Sequence, residues 1–415
     1  MTIKKRRVVI TGLGVLASNG IGKDLFWEAN IQGRANVGPI SKFDASAYQT
    51  RIAAQLKGFD PLQFMSEGMA SRVDEFAQYA LATARMAQKD SALKLEEEDP
   101  HRLGVVIGSG LGGMFFYEKQ ISAVIAHGPK KAHPSSVLRV MPNAPSGVVS
   151  IELGLKGPNM TVATACASGN HAIGQAYEMI AWNKADVLFA GGSEAPIVPY
   201  TFAAFDNMRV MSRRNDTPQE ASRPFDKNRD GFVMGEGSGM LVLEELEHAQ
   251  RRNATIYAEI VGYALTSGAQ HMVIPIADGE DAARTMRLAL ADAGLEPTQV
   301  DYINAHGTST TANDKAETLA IKDIFKQQAY KIPVSSTKSM IGHTIGAAAA
   351  IEAVVCCLAI QNNIIPPTIN YQQTDGECDL DYVPNVARQH KVDVALSNSF
   401  GFGSNNATLI FRRLE

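Results

Sequence analysis

Cys166 lies in Thr164-Ala165-Cys166-Ala167-Ser168-Gly169, small residues that join an apolar strand to a helix. A thiol at a helix N-terminus faces the positive end of the dipole, which favours its thiolate, and small neighbours leave room for a substrate to reach the sulfur. The competing reading is a buried structural cysteine, the default for this residue type. His306 stands in Asn304-Ala-His-Gly-Thr-Ser-Thr310, where a strand ends in a glycine-containing turn. His343 stands in Ser339-Met-Ile-Gly-His-Thr-Ile-Gly346, just before an Ala-rich helix. Either histidine alone reads as a cap or core residue. Both, like Cys166, sit at strand-to-helix junctions, where α/β folds gather functional groups. Lys338 precedes the second junction, and Glu352 lies inside the apolar helix after it. A charge among Ala and Val needs a partner, and Lys338 is the nearest unclaimed cation.

Other segments compete for attention. Gly12-x-Gly14-x-x-Ala17 and Gly108-x-Gly110-x-x-Gly113 each follow a strand and resemble dinucleotide fingerprints, but neither continues into a clear βαβ unit. They read better as tight turns against a core. Gly401-Phe402-Gly403-Ser404-Asn405-Asn406 is a turn whose functional reading is a mobile gate, bringing a backbone N–H and a ring to the site. Cys356 and Cys357 fall in an apolar stretch and read as core; with Cys378 they form no Cys-x-x-Cys pair, so no metal ligand cluster is expected.

The elements that must position these groups alternate between strand and helix, indicating layered α/β architecture around a buried sheet. Strands are expected at 7–11, 103–107, 187–190, 240–243, 256–261, 302–305 and 408–411. Helices are expected at 25–32, 72–90, 169–182, 279–293, 314–324 and 346–361. The charged stretch Glu244–Ala254 is the softest boundary and divides the chain into residues 1–254, with the cysteine, and 255–415, with both histidines. The parts echo each other: each has a small-residue junction leading into an Ala-rich helix, and each closes on an apolar strand. Such self-similarity suggests two duplicated α/β units. A length of 415 residues allows two or three domains, and a net charge of −4 argues against nucleic acid as a bulk partner. Lys4-Lys5-Arg6-Arg7 and the run after it read as a first strand entering a turn rather than a signal core, and no segment is expected to approach the apolar length needed to span a bilayer. With no disulfide framework, a cytoplasmic setting is expected.

Seven segments in order resemble the β-ketoacyl-acyl-carrier-protein synthases, most closely the synthase II type, over almost the whole chain: Val8-Val-Ile-Thr-Gly-Leu-Gly14, Thr164–Gly169, Ser222-Arg-Pro-Phe-Asp226, Arg229-Asp-Gly-Phe232, Asn304–Thr310, Ser336-Thr-Lys-Ser339 and Asn398-Ser-Phe-Gly-Phe-Gly403. The resemblance implies the thiolase-like, duplicated five-layer αβαβα fold. It implies an elongating enzyme that takes an acyl group onto Cys166, decarboxylates malonyl on a carrier and joins the two by Claisen condensation. His306 and His343 match the pair that assists decarboxylation and stabilises the enolate, and Lys338 and Glu352 the buried charges that support the site. Phe402 matches the gate, whose backbone N–H with that of Cys166 forms the oxyanion hole. Thr308 and Thr310 match contacts to the pantetheine arm, and Leu111 keeps the large aliphatic of the acyl pocket. No metal and no cofactor of its own is implied, since 4′-phosphopantetheine belongs to the partner acyl carrier protein.

Several positions depart from the family. The gate reads Gly-Phe-Gly-Ser-Asn where Gly-Phe-Gly-Gly-Thr is common. His271-Met-Val-Ile-Pro-Ile replaces a more polar loop, so Val273 and Ile274 lose hydroxyls near the arm. Ser135 and Ser136 stand where bulky aromatics often sit. Glu67–Arg72 has fewer basic residues than usual, although Lys130, Lys131 and Arg209 still offer a basic rim for the carrier. The resemblance implies a homodimer, with a heterodimer beside a second ketosynthase-like subunit as the other arrangement. A type II polyketide ketosynthase with a dedicated carrier is the alternative activity. A non-catalytic partner resembling a chain-length factor would lose the nucleophile that this chain keeps.

Overall fold

The computed structural model describes residues 5–414, so Lys4 of the basic start lies outside the described residues. Ten strands carry the architecture: β1 (Val8–Ala17), β2 (Leu103–Gly108), β3 (Asn159–Val162), β4 (Val187–Glu194), β5 (Gly237–Glu245), β6 (Ala258–Ser267), β7 (Tyr302–Asn304), β8 (Val334–Ser335), β9 (Val394–Gly401) and β10 (Asn405–Arg412). The first five lie side by side as β1-β5-β4-β2-β3 and the second five as β6-β10-β9-β7-β8. Counted within each set, both orders are 1-5-4-2-3. Parallel and antiparallel pairings repeat as well, so one topology occurs twice. The sets join through antiparallel pairing of β1 with β6, where Val8 faces Ile260.

Helices complete five layers. Helices α1 (Glu75–Ser91) and α3 (Ala144–Leu153) cover the outside of the first set, while α2 (Met114–His127) lies between them in the chain. Ala80, Ala84 and Ala87 of α1 and Val149 of α3 pack against Val105, Ile107, Phe189 and Val242. Between the sets run α4 (Ser168–Ala181) and α7 (Ala348–Asn362), where Ile173, Ile180, Ile351, Val354 and Leu358 meet Ile10, Leu243, Leu409 and Phe411. Outside the second set lie α5 (Glu280–Ala293) and α6 (Thr311–Phe325), with Met286 and Ile321 packed on Ile303, Leu396 and Ile410. Strands covered on both faces need apolar residues throughout rather than alternation, which is why β1 is buried along its whole length.

Three expectations need correction. Gly12 and Gly14 are not in a turn; they lie within β1, beside a register shift between Ile10 and Gly12. A Cβ at Gly14 would stand 2.0 Å from the Thr83 carbonyl oxygen, and one at Gly12 2.3 Å from that of Ala87, so both glycines let α1 lie backbone to backbone on the strand. The stretch Ile345–Asn362 is long and apolar enough by composition to cross a bilayer, but 89% of it is buried between the two sets of strands. A helix covered on every side is apolar on every side. Strand β9 was not expected, because Ser397, Asn398 and Ser399 interrupt its apolar pattern; all three are buried.

Candidate active site

The chain leaves β3 and turns at Ala165, whose φ of 50° is left-handed, before the 3-10 turn Ala165–Ala167 feeds α4. Ser168 Oγ accepts from the Thr164 N–H at 2.9 Å and donates to the Ala165 carbonyl at 2.6 Å, fixing this elbow. Cys166 emerges at its apex with 7% of its surface exposed. Contrary to the expectation of a favoured thiolate, burial pushes the thiol up to about 12; the Lys338 charge and the Phe402 N–H oppose this without overcoming it. The resting sulfur is a neutral thiol that needs a base.

That base is within reach. His343 Nε2 lies 3.0 Å from Cys166 Sγ. The His343 N–H donates to Val233 O at 2.7 Å, its carbonyl accepts from Gly235, and the Phe232 ring meets the imidazole edge-on at 5.5 Å. His306 stands across from it, ring centroids 5.5 Å apart and planes at 85°. Glu317 of α6 accepts from the N–H groups of His306 and Gly307, each at 2.8 Å, and Asp314, one turn earlier, accepts from Thr308 N–H at 3.0 Å. Lys338 Nζ donates to the His306 carbonyl at 2.7 Å and pairs with Glu352, both fully buried. Burial and the Lys338 charge hold both imidazoles well below the usual histidine range, so they are neutral at pH 7. Neither Nδ1 has a partner among the described residues, which leaves both tautomers open to each ring.

The three donor atoms of Cys166, His306 and His343 lie within 4.8 Å of one another. This corrects the expectation that no ligand cluster exists. They open into a cavity of about 310 Å³ lined by Leu111, Phe205, Val210, Phe232, Ile345 and the segment His271–Ile276. Phe402 stacks on Phe205 at 6.4 Å, and its N–H reaches the sulfur. Gly401 is required beside it, since a Cβ there would stand 2.7 Å from Thr164 O. Gly403 N–H donates to Met272 O at 2.7 Å and Ser404 Oγ to His271 O at 3.0 Å, tying the gate turn to the apolar loop. His271 Nδ1 accepts from the N–H groups of Val273 and Ile274, each at 3.0 Å, so those amides are already satisfied. Thr308 and Thr310 face the cavity, their hydroxyls 2.9 Å apart. Arg209 is exposed next to the lining residue Val210, and Lys130 and Lys131 are exposed in the turn after α2, outside the lining.

Glu194, at the end of β4, was missed in the sequence. Its buried carboxylate accepts from Ser109 Oγ and from the N–H groups of Gly110, Leu111 and Gly346, at 2.6 to 3.2 Å. In the second glycine motif the Gly110 and Leu111 N–H groups, which a nucleotide phosphate would need, are spent on this residue, and those of Gly112 and Gly113 donate to Ser109 Oγ and Val140 O. Repeated topology adds meaning: Gly346 begins the second central helix as Cys166 begins the first, and Glu194 ends β4 as Gly401 ends β9. One helix start faces open space that a substrate can fill; the other faces a carboxylate. Burial raises Glu194 from 4.5 to about 7. Because the native pKa is raised, the stabilisation is present below about pH 4.5 and is lost as pH rises through 7. Glu194→Gln, which cannot titrate there, will therefore lose about 2–3 kcal/mol less stability than the wild type between pH 5 and pH 8. Urea midpoints of both proteins at the two pH values measure the difference, and parallel losses would show that Glu194 does not titrate there.

Residues 5–249 match the family described as "Beta-ketoacyl synthase, N-terminal domain", and residues 257–372 match its C-terminal counterpart. The chain is 50% identical over 412 residues to the 3-oxoacyl-[acyl-carrier-protein] synthase 2 of Coxiella burnetii, covering 99% of this chain and 100% of that protein. It is 48% identical over 413 residues to the synthase 2 of Synechocystis, covering 100% and 99%. Among solved structures, a type II polyketide acyl-carrier protein in complex with its ketosynthase bound to the hexaketide superposes with a TM-score of 0.93 at 36% identity, covering 99% of this chain and 100% of that one.

Proposed function

The chain belongs to the β-ketoacyl synthase family, and from that premise we propose how its residues divide the reaction. It is an elongating condensing enzyme, an acyltransferase that forms 3-oxoacyl-[acyl-carrier-protein]. The observation that carries the assignment is the 3.0 Å contact between Cys166 Sγ and His343 Nε2, with His306 facing both.

In the first step Sγ attacks the acyl thioester while its proton passes to His343 Nε2. The tetrahedral oxyanion forms between the Cys166 and Phe402 N–H groups. Collapse expels the carrier thiol, which takes the proton back from His343, leaving the acyl group on Cys166. Malonyl-carrier then enters. Its C–C bond to the carboxylate breaks, CO₂ leaves, and the electron pair moves onto the thioester oxygen as an enolate that accepts a hydrogen bond from His306 and, once its proton has moved from Nδ1 to Nε2 through solvent, from His343. The enolate carbon attacks the acyl-Cys166 carbonyl, and Cys166 leaves as a thiolate that takes from solvent the one proton the overall reaction consumes. Neutral imidazoles suit this step, because they donate without first giving up a charge. Lys338, bonded to His306 O and paired with Glu352, and Glu317 act as positioning residues.

The reactive arm is the carrier's 4′-phosphopantetheine, with Thr308 and Thr310 as its polar contacts; the chain itself is assigned no cofactor. Lys130, Lys131 and Arg209 are the rim for an acidic carrier, and Leu111 with Val273 walls the acyl and arm channel. We divide the chain at 254/255 and place it in a reducing cytoplasm, in keeping with four unpaired cysteines. Exposed Ile125, Val137, Leu138 and Ile151, near the edge strand β3, are the proposed homodimer face; pairing with a second ketosynthase-like subunit is the other arrangement. A polyketide substrate is the second reading, favoured by the apolar segment His271–Ile276 at the cavity.

Step-resolved assays test the division. His306 is not bonded to the sulfur, so His306→Ala will leave acylation of Cys166 within about threefold of wild type and slow malonyl-carrier decarboxylation by about 10²–10³-fold. His343→Ala will slow both steps. Intact-mass detection of the acyl adduct follows the first step and CO₂ release the second. Equal losses in both steps for His306→Ala would remove the distinction drawn between the rings.

A further inference from the structure

We propose that, with no acyl group on Cys166, the Cys166–His306–His343 chamber binds one soft divalent ion of the zinc type, and that this binding switches the enzyme off reversibly. The inference rests on the reading of these three residues as the reacting set.

One sulfur and two imidazole nitrogens, all buried, lie within 4.8 Å of one another. A tetrahedral zinc site, with Zn–S near 2.3 Å and Zn–N near 2.0 Å, places such donors about 3.5 Å apart, so small side-chain rotations suffice. The donor set is soft, favouring zinc, cadmium or cobalt over magnesium or calcium. On binding, the thiol proton leaves to solvent as the S–metal bond forms; nothing is oxidised or reduced. The chain fills three positions and leaves a fourth for water or for an incoming thiol.

The Lys338 charge that disfavours imidazolium also opposes a cation here, and two nearby carboxylates offset it. Lys338 is already paired with Glu352, and the Glu194 carboxylate acts electrostatically on Cys166. What the site lacks is an outer shell. Dedicated zinc histidines donate their second ring nitrogen to a carboxylate or carbonyl, whereas His306 Nδ1 and His343 Nδ1 have no such partner among the described residues. The site is therefore weaker than a resident metal centre, which suits an inhibitory ion that comes and goes. An acyl group on Cys166 removes the sulfur ligand, so loading and metal binding exclude each other.

The test uses the full-length protein, freed of metal with chelator and titrated with Co²⁺. Wild type is expected to develop the near-ultraviolet sulfur-to-cobalt charge-transfer band and visible tetrahedral bands. Cys166→Ala should lose the first, and His306→Gln or His343→Gln should weaken binding at least about tenfold, since even an outer-shell partner contributes that much. Zn²⁺ should displace Co²⁺ and slow iodoacetamide labelling of Cys166 at least tenfold, with both effects reversed by chelator. Absence of the charge-transfer band, or equal Co²⁺ binding by wild type and Cys166→Ala, overturns the proposal. Condensation by the metal-free enzyme is measured in parallel; its failure would count against the reaction assigned above, not against the metal site.

Discussion

Cys166→Ala will fold like the wild type, form no acyl adduct, and lose condensation by at least about 10⁴-fold, the scale seen when a covalent nucleophile is removed from a constellation that acts as a unit. Folding should survive because the change deletes one buried sulfur atom and leaves the β-carbon as a methyl group among small neighbours, a loss of about 1 kcal/mol. Malonyl-carrier decarboxylation should continue in this variant, because the enolate is met by the two imidazoles rather than by the sulfur. Accessibility adds a second signature. Cys166 lines the cavity, whereas Cys356, Cys357 and Cys378 are fully buried. Iodoacetamide should therefore label Cys166 first, and the variant should show no early label. Rising pH should speed the labelling, since burial holds the thiol up to about 12 and only the thiolate reacts. A normal condensation rate in Cys166→Ala, or an acyl adduct on another residue, would end the assignment.

The parts of this site legible in the sequence are those whose local context was abnormal. Glu352 stood out because a carboxylate in an Ala- and Val-rich helix must find a cation, and Lys338 is the residue that meets it. Cys166, His306 and His343 stood out because strand-to-helix junctions converge in layered α/β folds. What stayed hidden depended on contacts between distant backbones. Glu194 follows Gly191-Gly192-Ser193 at a strand end and looks like surface; its donors come from residues 109–111 and 346. Glu317 sits on a helix with ordinary charged neighbours, and nothing in its pattern shows that it holds the His306 turn. Gly12 and Gly14 carry a turn-like spelling, but the demand for glycine comes from α1 pressing on the strand. The state of the thiol was misjudged for a related reason. A helix start is visible in sequence, while the burial that outweighs its dipole is not.

Breaking the Lys338–Glu352 pair should give the largest stability change at the site. Both side chains are 1% exposed, and Glu352 is pushed up to about 7 by burial against the pull of the ammonium. Glu352→Ala leaves Lys338 buried without its counter-ion, a change that costs about 3–5 kcal/mol. Lys338→Met in the wild-type background does the same to Glu352, and also removes the 2.7 Å bond to the His306 carbonyl. Replacing both together, Lys338→Met with Glu352→Leu, removes both charges and fills their volume. Its stability should return to within about 1–2 kcal/mol of wild type, because apolar replacement of a buried pair is often neutral. Activity should not return with it. The His306 turn would still lack its ammonium anchor, so decarboxylation should stay low in the double variant while acylation of Cys166, which depends on His343, recovers. Chemical denaturation measures the first quantity, and the adduct and CO₂ assays the other two. Recovery of decarboxylation along with stability would mean that Lys338 serves only to neutralise Glu352, and that Glu317 and Asp314 hold the turn carrying His306 without it.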